Sequence, residues 1–256
     1  MKLAVLFKWA ANPRDARIAD DGSVDWSGTR GVISAYDQAA IEVGRRFADA
    51  VGGQLVGVTA TPEPLPSAAC RTALSHGLDH LVVVTGPELT ATDPTTTGLV
   101  LAAAVTSLGL PDLVLSGEAS LDVGAGLVPA VVAGALGWPM IDQVTAVHAV
   151  GRGVGLTRRT PHGEQSLTIA GPAVVEIQRY AATPRVPGLR ATLDAAKRPT
   201  TQLGVADLAV AIPTPVAVVA QAPAVAPERE GRRIEGDPAA MASSLVATLR
   251  SRGLLP

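Results

Sequence analysis

Residues 111–139, PDLVLSGEASLDVGAGLVPAVVAGALGWP, constrain the fold more than any other stretch of the chain. A short apolar run at 113–115 reads as a strand. A Ser/Gly/Asp turn follows, and then an apolar-faced helix that halts before Trp138-Pro139. A strand that gives way to glycines and then to a helix start turns free N–H groups, and the positive end of the helix dipole, toward any anion placed there. This is the common way of holding a nucleotide phosphate.

The preceding residues repeat the same alternation. Residues 2–7 are β-rich, and 8–29 form a polar loop punctuated by Pro13, Gly22 and Gly28, an excursion long enough to be functional or partner-bound. Residues 35–50 place Ala39, Ala40, Val43, Phe47 and Ala50 at helical spacing, with Gly52-Gly53 as the stop. A strand is expected at 55–59. Pro62, Pro64 and Pro66 then lead into a helix carrying Leu65, Ala69, Ala73 and Leu74, ended by Gly77. Residues 81–84 predict a strand, and 92–97 offer N-cap candidates for a helix through Leu108. Strands alternating with helices of this length require right-handed crossovers and a mainly parallel sheet covered on both faces. The fold class expected is doubly wound α/β.

Beyond Trp138 the rhythm changes. Residues 144–150, 154–160 and 165–169 are β-like runs split by Gly-rich or Pro-containing turns, followed by an apolar run at 173–177. Gly151, Gly153 and Gly155 imitate a dinucleotide fingerprint, but Arg158-Arg159 follow where a helix pattern is needed, so a hairpin turn is expected. Residues 184–199 read as an exposed loop and a short helix. Residues 212–227, IPTPVAVVAQAPAVAP, predict an extended arm with a strand-like core at 216–219. A last helix over 238–250 puts Met241, Leu245 and Leu249 on one face.

Composition narrows the function classes. A net charge of -2 with 17% charged residues leaves no basic field for nucleic acid or an anionic membrane. Cys70 is the only cysteine, which excludes an internal disulfide and any cysteine-rich metal or iron–sulfur site. No apolar run reaches the roughly 18 residues that span a bilayer, and the first strand lacks a signal-peptide pattern. A cytoplasmic protein without membrane insertion is the expectation. Hydrophobic residues at 47% fit either apolar surface covered by a partner or an Ala/Val-rich core. His76 and His80 are split by the helix-ending Gly77, and no third ligand is near, so no metal site is assigned. Ser116, Ser120 and Asp122 lack a Gly-x-Ser-x-Gly elbow, and no Walker lysine occurs, so no catalytic residue is assigned. Asp20-Asp21, Arg158-Arg159 and Arg232-Arg233 read as surface charge.

Seven segments, in order and spacing, resemble the electron-transfer flavoprotein beta subunit family: the opening strand ending in Lys8, SAYDQAAIEVGRR (34–46), CRTALSHGLDHLVVV (70–84), PDLVLSGEASLDVG (111–124), GPAVVEI (171–177), TPRVPGLRATLDAAKRP (183–199) and EGRRIEGD (230–237). The resemblance implies an adenine-nucleotide alpha-hydrolase-like sheet with a C-terminal extended arm and helix. It divides the chain into an α/β nucleotide-binding-type domain (1–183), a partner recognition loop and helix (184–200), and an arm with a terminal helix (201–256). It also implies a non-catalytic electron carrier. An alpha subunit holds most of the FAD, the beta subunit packs on it and buries an AMP, and electrons pass from flavin dehydrogenases toward a quinone reductase.

Carried onto this chain, the cofactor-binding positions are Leu6, Ser34, Ala60, Ser120, Asp122, Val123, Gly124, Ala125, Gly126, Leu127 and Val128. Pro184, Arg185 and Leu189 correspond to the segment that docks transiently on dehydrogenases, with a Leu189 that simply caps the following helix as the lesser alternative. The family's lysine-rich tail is thinned here to Asp194, Ala195, Ala196, Lys197, Arg198. After Asp122 the family's polar phosphate-holding side chains are replaced by Val123, Gly124, Ala125, Gly126, Leu127, Val128 and Pro129. Main-chain amides can still meet an anion there. Losing several hydrogen bonds to a charged group, each about 1.5–3 kcal/mol, would weaken nucleotide affinity by orders of magnitude. An AMP site, or a remnant pocket filled by side chains, is therefore expected, and a second, bifurcating FAD is not. A stand-alone adenine-nucleotide-binding regulatory domain is the alternative.

Overall fold

The central strands are short Val/Leu/Ile runs buried on both faces, the composition of a parallel sheet roofed by helices on each side. The computed structural model describes residues 1–90, 93–151, 153–214 and 231–256, and the chain divides into two compact units, Met1–Val219 and Ala220–Pro256.

In the first unit the chain runs β1 (Lys2–Leu6), β2 (Trp9–Ala11), β3 (Arg17–Ile18), β4 (Val24–Asp25), β5 (Gly31–Ile33), α1 (Ala35–Val51) and β6 (Gln54–Thr61). It continues through α2 (Ser67–Ser75), β7 (His80–Thr85), α3 (Pro94–Ser107), β8 (Leu113–Gly117) and α4 (Val128–Leu136). Strands β9 (Met140–Val150), β10 (Gly153–Thr160), β11 (Gly163–Ile169) and β12 (Ala173–Ile177) follow, then α5 (Leu189–Ala195) and β13 (Thr200–Gly204). The sheet order is β11-β10-β9-β12-β8-β1-β6-β7-β13. Every neighbour from β9 to β13 in that order is parallel, and β9-β10-β11 form an antiparallel meander at one edge. This is the doubly wound α/β fold that the periodicity predicts.

Because side chains alternate along a strand, β1 feeds two cores. Leu3 and Val5 point to one, with Leu55, Leu81, Leu113 and Leu115, closed by Ile41 and Phe47 of α1, Ala73 and Leu74 of α2, and Ala195 of α5. Ala4 and Leu6 point to the other, with Val56, Val58 and Val82, closed by Val100 and Leu101 of α3 and Val132 of α4. Registers such as Leu3 opposite both Leu55 and Leu113 keep these rows aligned. Cys70 lies in the first core, where burial pushes its thiol above the ordinary range, so it serves as a small apolar residue.

Several expectations are refined. The stretch expected as a loop over 8–29 is partly ribbon: β2 pairs with β5 and β3 with β4, both antiparallel, and Asp15 grips Arg30 at 2.9 Å across it. Helix α3 starts at Pro94 because the Asp93 carboxylate accepts from the N–H groups of Thr95 and Thr96, while Thr92 lies outside the described residues. Leu65 is buried but sits before α2, since Pro66 occupies the cap. The glycine triplet at 151–155 leads from β9 into β10 as a hairpin. Strand β13, which extends the sheet beside β7, has no counterpart in the periodicity reading; TTQLG is too polar and too short to register as a buried run. The strand-like core expected at 216–219 lies outside the described residues.

In the second unit, α6 (Pro238–Ser251) begins where the Asp237 carboxylate accepts from Ala239 and Ala240 at 3.0 and 3.2 Å. Among the described residues, no helix is long and apolar enough to cross a membrane.

Candidate functional site: a crevice at the switch point of the sheet

From β1 the chain leaves through α1 to β6 on one side, and from β8 it leaves through α4 to β9 on the other. The carboxyl ends of these two neighbouring strands therefore part, and in open α/β sheets ligands bind in the crevice so formed. Here the crevice has a volume of about 190 Å³. This is below the roughly 300–1,000 Å³ of pockets that enclose a drug-sized ligand, so it can hold part of a nucleotide and is far too small for FAD.

One wall is apolar. Leu6 at the end of β1, Ala60 and Pro62 at the end of β6, and Leu89 and Leu101 form a slot suited to a flat ring, with Thr61 at its edge. The opposite wall is the loop after β8, where Ser120, Val123, Ala125, Gly126 and Val128 face the space. The structure thus gathers seven of the eleven cofactor-binding positions carried over from the family around one opening. Asp122, Gly124 and Leu127 belong to the same loop but not to its lining. Gly124 and Gly126 take positive φ values of 66° and 65°, which permit the tight turn, and the Gly124 N–H donates to the Ser120 hydroxyl oxygen at 3.3 Å. Ser34 lies outside the lining: it is fully buried as the N-cap of α1, accepting from the Asp37 N–H at 3.2 Å.

Asp37 is the residue that pattern reading missed. Its position three after a serine cap marks it only as a capping-box acid. In the fold its carboxylate lines the crevice and accepts from the Lys8 backbone N–H at 3.0 Å, joining the start of α1 to the end of β1. Burial pushes this carboxyl up to about 7, against hydrogen bonds from Lys8, Ser34 and Gly117 that favour its ionised form. Gly117 makes the approach feasible, since a Cβ there would lie 2.7 Å from Asp37 Oδ1 and 2.8 Å from the Tyr36 carbonyl carbon.

Lys8, the only cation lining the crevice among the described residues, has its Nζ 2.7 Å from Asp122 Oδ2. Burial pushes the Asp122 carboxyl up, but Lys8 and Ser120 outweigh it and hold the group below the ordinary range. Glu118 also lines the space and accepts from the Arg179 N–H at 3.3 Å. Beyond it, Glu176 at the end of β12 is raised by burial, and by the nearby Asp142 and Glu118.

The polar part of the lining joins Lys8, Asp37 and Glu118 to the hydroxyls of Thr61, Thr90, Thr97, Ser116 and Ser120, and this bears on the AMP that the family resemblance implies. The apolar side chains of the lining would suit a planar ring such as adenine. Charged side-chain clamps for a phosphate are lacking there, because Lys8 is already paired, Leu127 gives α4 no side-chain cap and Pro129 has no N–H to offer, which leaves the hydroxyls and main-chain amides of the lining.

A larger cavity of about 370 Å³ opens at the opposite end of the sheet, beside Lys2, Asp79 and His80. Its polar groups are turned to the protein: the Lys2 ammonium donates to the Leu108 carbonyl, Asp79 pairs with Arg45 at 2.8 Å, and His80 meets Thr201 at 2.9 Å. Without convergent free groups it makes a poorer site than the crevice. Among the described residues no group of three or more His, Cys, Asp or Glu is arranged to hold a metal ion. Among the described residues the crevice lining contains no histidine or cysteine, and the Ser116 hydroxyl donates to the Gly117 carbonyl at 3.0 Å, so they assemble no nucleophile–base pair there.

The second carried-over set lies elsewhere. Arg185 grips Glu42 of α1 through Nε at 2.7 Å, and its backbone N–H also donates to that carboxylate at 3.3 Å. Glu42 is 6% exposed and receives Arg46 at 2.7 Å as well; burial pushes its carboxyl up, but the two arginines hold it below the ordinary range. The residues just past this clasp turn outward: Val186 is 92% exposed and Leu189, the first residue of α5, is 79% exposed.

A comparison with known protein families matches residues 22–208, nearly three-quarters of the chain, to the electron transfer flavoprotein domain. The match spans α1, the loop after β8 and the Arg185 clasp, and with the doubly wound sheet around them it assigns the chain to the electron transfer flavoprotein domain family.

Proposed function

We propose that this chain is the beta subunit of a heterodimeric electron-transfer flavoprotein. It packs on an alpha subunit that carries FAD and passes electrons from flavin dehydrogenases to a quinone reductase in the cytoplasm. The observation that carries this reading is the clasped segment after β12, which holds an outward-facing Leu189 on a backbone pinned by Arg185 to the buried Glu42. An apolar anchor on a fixed base suits transient docking, because little ordering entropy opposes each encounter. Residues 1–183 would then provide most of the α/β scaffold and the crevice, 184–200 the dehydrogenase contact, and 201–256, once β13 has completed the sheet and Val205 and Leu208 have packed on its core, the arm that reaches the alpha subunit.

FAD supplies the one-electron chemistry when bound. The crevice is too small for it, which agrees with a flavin seated mainly on the partner. The chain's own work is to shape that flavin's surroundings and to select partners, without making or breaking bonds. Coexpression with a candidate alpha subunit tests the reading: a yellow, co-eluting heterodimer supports it, and a colourless chain that elutes alone refutes it. The alternative, a stand-alone adenine-nucleotide-binding regulatory domain, is favoured only by the crevice being built from one chain, and it leaves the exposed Val186 and Leu189 without a purpose.

A further inference from the structure

We propose that Arg179, held against the rings of Tyr36 and Tyr180, is a preformed contact that receives a carboxylate of the FAD-carrying alpha subunit. The guanidinium carbon lies 5.9 Å from the centroid of the Tyr36 ring and 4.6 Å from that of Tyr180. Among the described residues no acid pairs with this guanidinium, although the Glu118 carboxylate accepts from the Arg179 backbone N–H at 3.3 Å. The inference rests on the beta-subunit reading and names a surface through which that subunit would hold its mate.

The three side chains come from two places in the fold, Tyr36 from the first turn of α1 and the other two from the turn after β12. That turn is closed by the Ala181 N–H, which donates to the Gln178 carbonyl at 2.9 Å, and it is tied to β9 by the Gln178 N–H, which donates to the Val144 carbonyl at 2.9 Å. Ala181 and Ala182 back it against the first core. Arg179 and Tyr180 are nonetheless turned to solvent, Tyr180 being 80% exposed. A planar guanidinium whose faces meet aromatic rings keeps its N–H edge for bonding, and that edge matches a carboxylate through two parallel hydrogen bonds. A phosphate asks for several converging donors, and here it would meet one arginine with the Glu118 carboxylate close behind. Tyrosine and arginine are also the side chains that most often carry protein–protein binding, and on a fixed base they lose little rotamer freedom on docking. The dehydrogenase contact is assigned to the segment past Arg185, which leaves the alpha subunit as the partner for this surface.

The affinity of the full chain for a candidate alpha subunit, measured by interferometry beside the melting curve of each variant chain, tests this. Arg179→Glu is expected to weaken the heterodimer by about thirtyfold or more, and Arg179→Lys, which keeps the charge but loses the planar fork, by about threefold or more. Tyr180→Ala is expected to weaken it by about fivefold or more. Each variant should melt within about 2 °C of the parent, because both side chains are exposed. Arg190→Glu is the control: its side chain on α5 is 98% exposed, it makes the same change of charge, and an effect of less than about twofold is expected. A parent heterodimer that Arg179→Glu matches in affinity, an equal loss from Arg190→Glu, or a loss that tracks a lowered Tm overturns the proposal and leaves the beta-subunit reading intact. A parent that forms no heterodimer overturns both.

Discussion

Lys8 Nζ lies 2.7 Å from Asp122 Oδ2, and this contact ties the end of β1 to the loop after β8 across the mouth of the crevice. Asp122 is mostly shielded, so the pair is screened less than an exposed one. Asp122→Asn is expected to cost about 1 kcal/mol, seen as a fall in Tm of roughly 2–4 °C by calorimetry. An unchanged melting curve would mean that the contact does not order the loop.

Gly117 is where β8 passes closest to α1. In Gly117→Ala the added methyl meets Asp37 and the Tyr36 backbone at under 3 Å, and neither is the loose end of a flexible side chain. A loss of about 1–3 kcal/mol or more is expected in denaturant titrations. Gly134→Ala is the control: it lies in α4 with open space around its Cβ position, and it is expected to stabilise by about 0.5–1 kcal/mol.

Asp37 makes stability depend on pH in an unusual direction. Its carboxyl is raised from 3.8 to about 7 in the fold, so between those values the folded chain retains a proton that the unfolded chain has released. The stabilisation is complete below about pH 4 and is lost as pH rises through 7. Asp37→Asn removes this slope while keeping an acceptor for the Lys8 N–H, so the variant is expected to gain on the parent by roughly 4 kcal/mol at most between pH 4 and 8. Parallel curves of stability against pH for the two proteins would contradict the burial argument.

The Glu42 clasp sets how firmly the outward segment is held. Glu42→Gln keeps the volume but weakens both arginine contacts, and faster tryptic cleavage after Arg185 is expected, by about fivefold or more for a loss of about 1 kcal/mol or more. The sign with pH is opposite to that of Asp37. The Glu42 carboxyl is depressed, so its contribution is present at neutral pH and lost as the solution is acidified through the folded-state pKa, and the parent's segment should loosen there too.

Leu189 separates folding from docking. With most of its side chain in solvent, Leu189→Ala is expected to change stability by less than about 0.5 kcal/mol. If it anchors a dehydrogenase, reduction of the flavoprotein by that partner should slow about tenfold or more, matching the roughly 1.5–3 kcal/mol of one buried leucine. Equal rates for parent and variant would remove Leu189 from the contact.

Legibility followed the range of the forces involved. The helix over residues 35–51 and the buried strands at 55–59 and 113–115 were readable because a repeat of apolar side chains records which face meets the core, and local caps record where an element begins. Strand β13 was not readable: its pairing with β7 depends on backbone hydrogen bonds, to which the side chains of TTQLG give no clue. The β2/β5 ribbon hid for the same reason inside a polar stretch.

The order of strand-like and helical runs, taken alone, determined a doubly wound sheet and a glycine loop at the end of β8, because binary pattern and turn residues act over a few neighbours. Only the tertiary structure decided the character of the crevice. Lys8, Asp37, Glu118 and Asp122 come from three separate segments, and whether a cation is free for a ligand or bound to a neighbouring acid depends on distances that the chain acquires when β1, β8 and α1 converge.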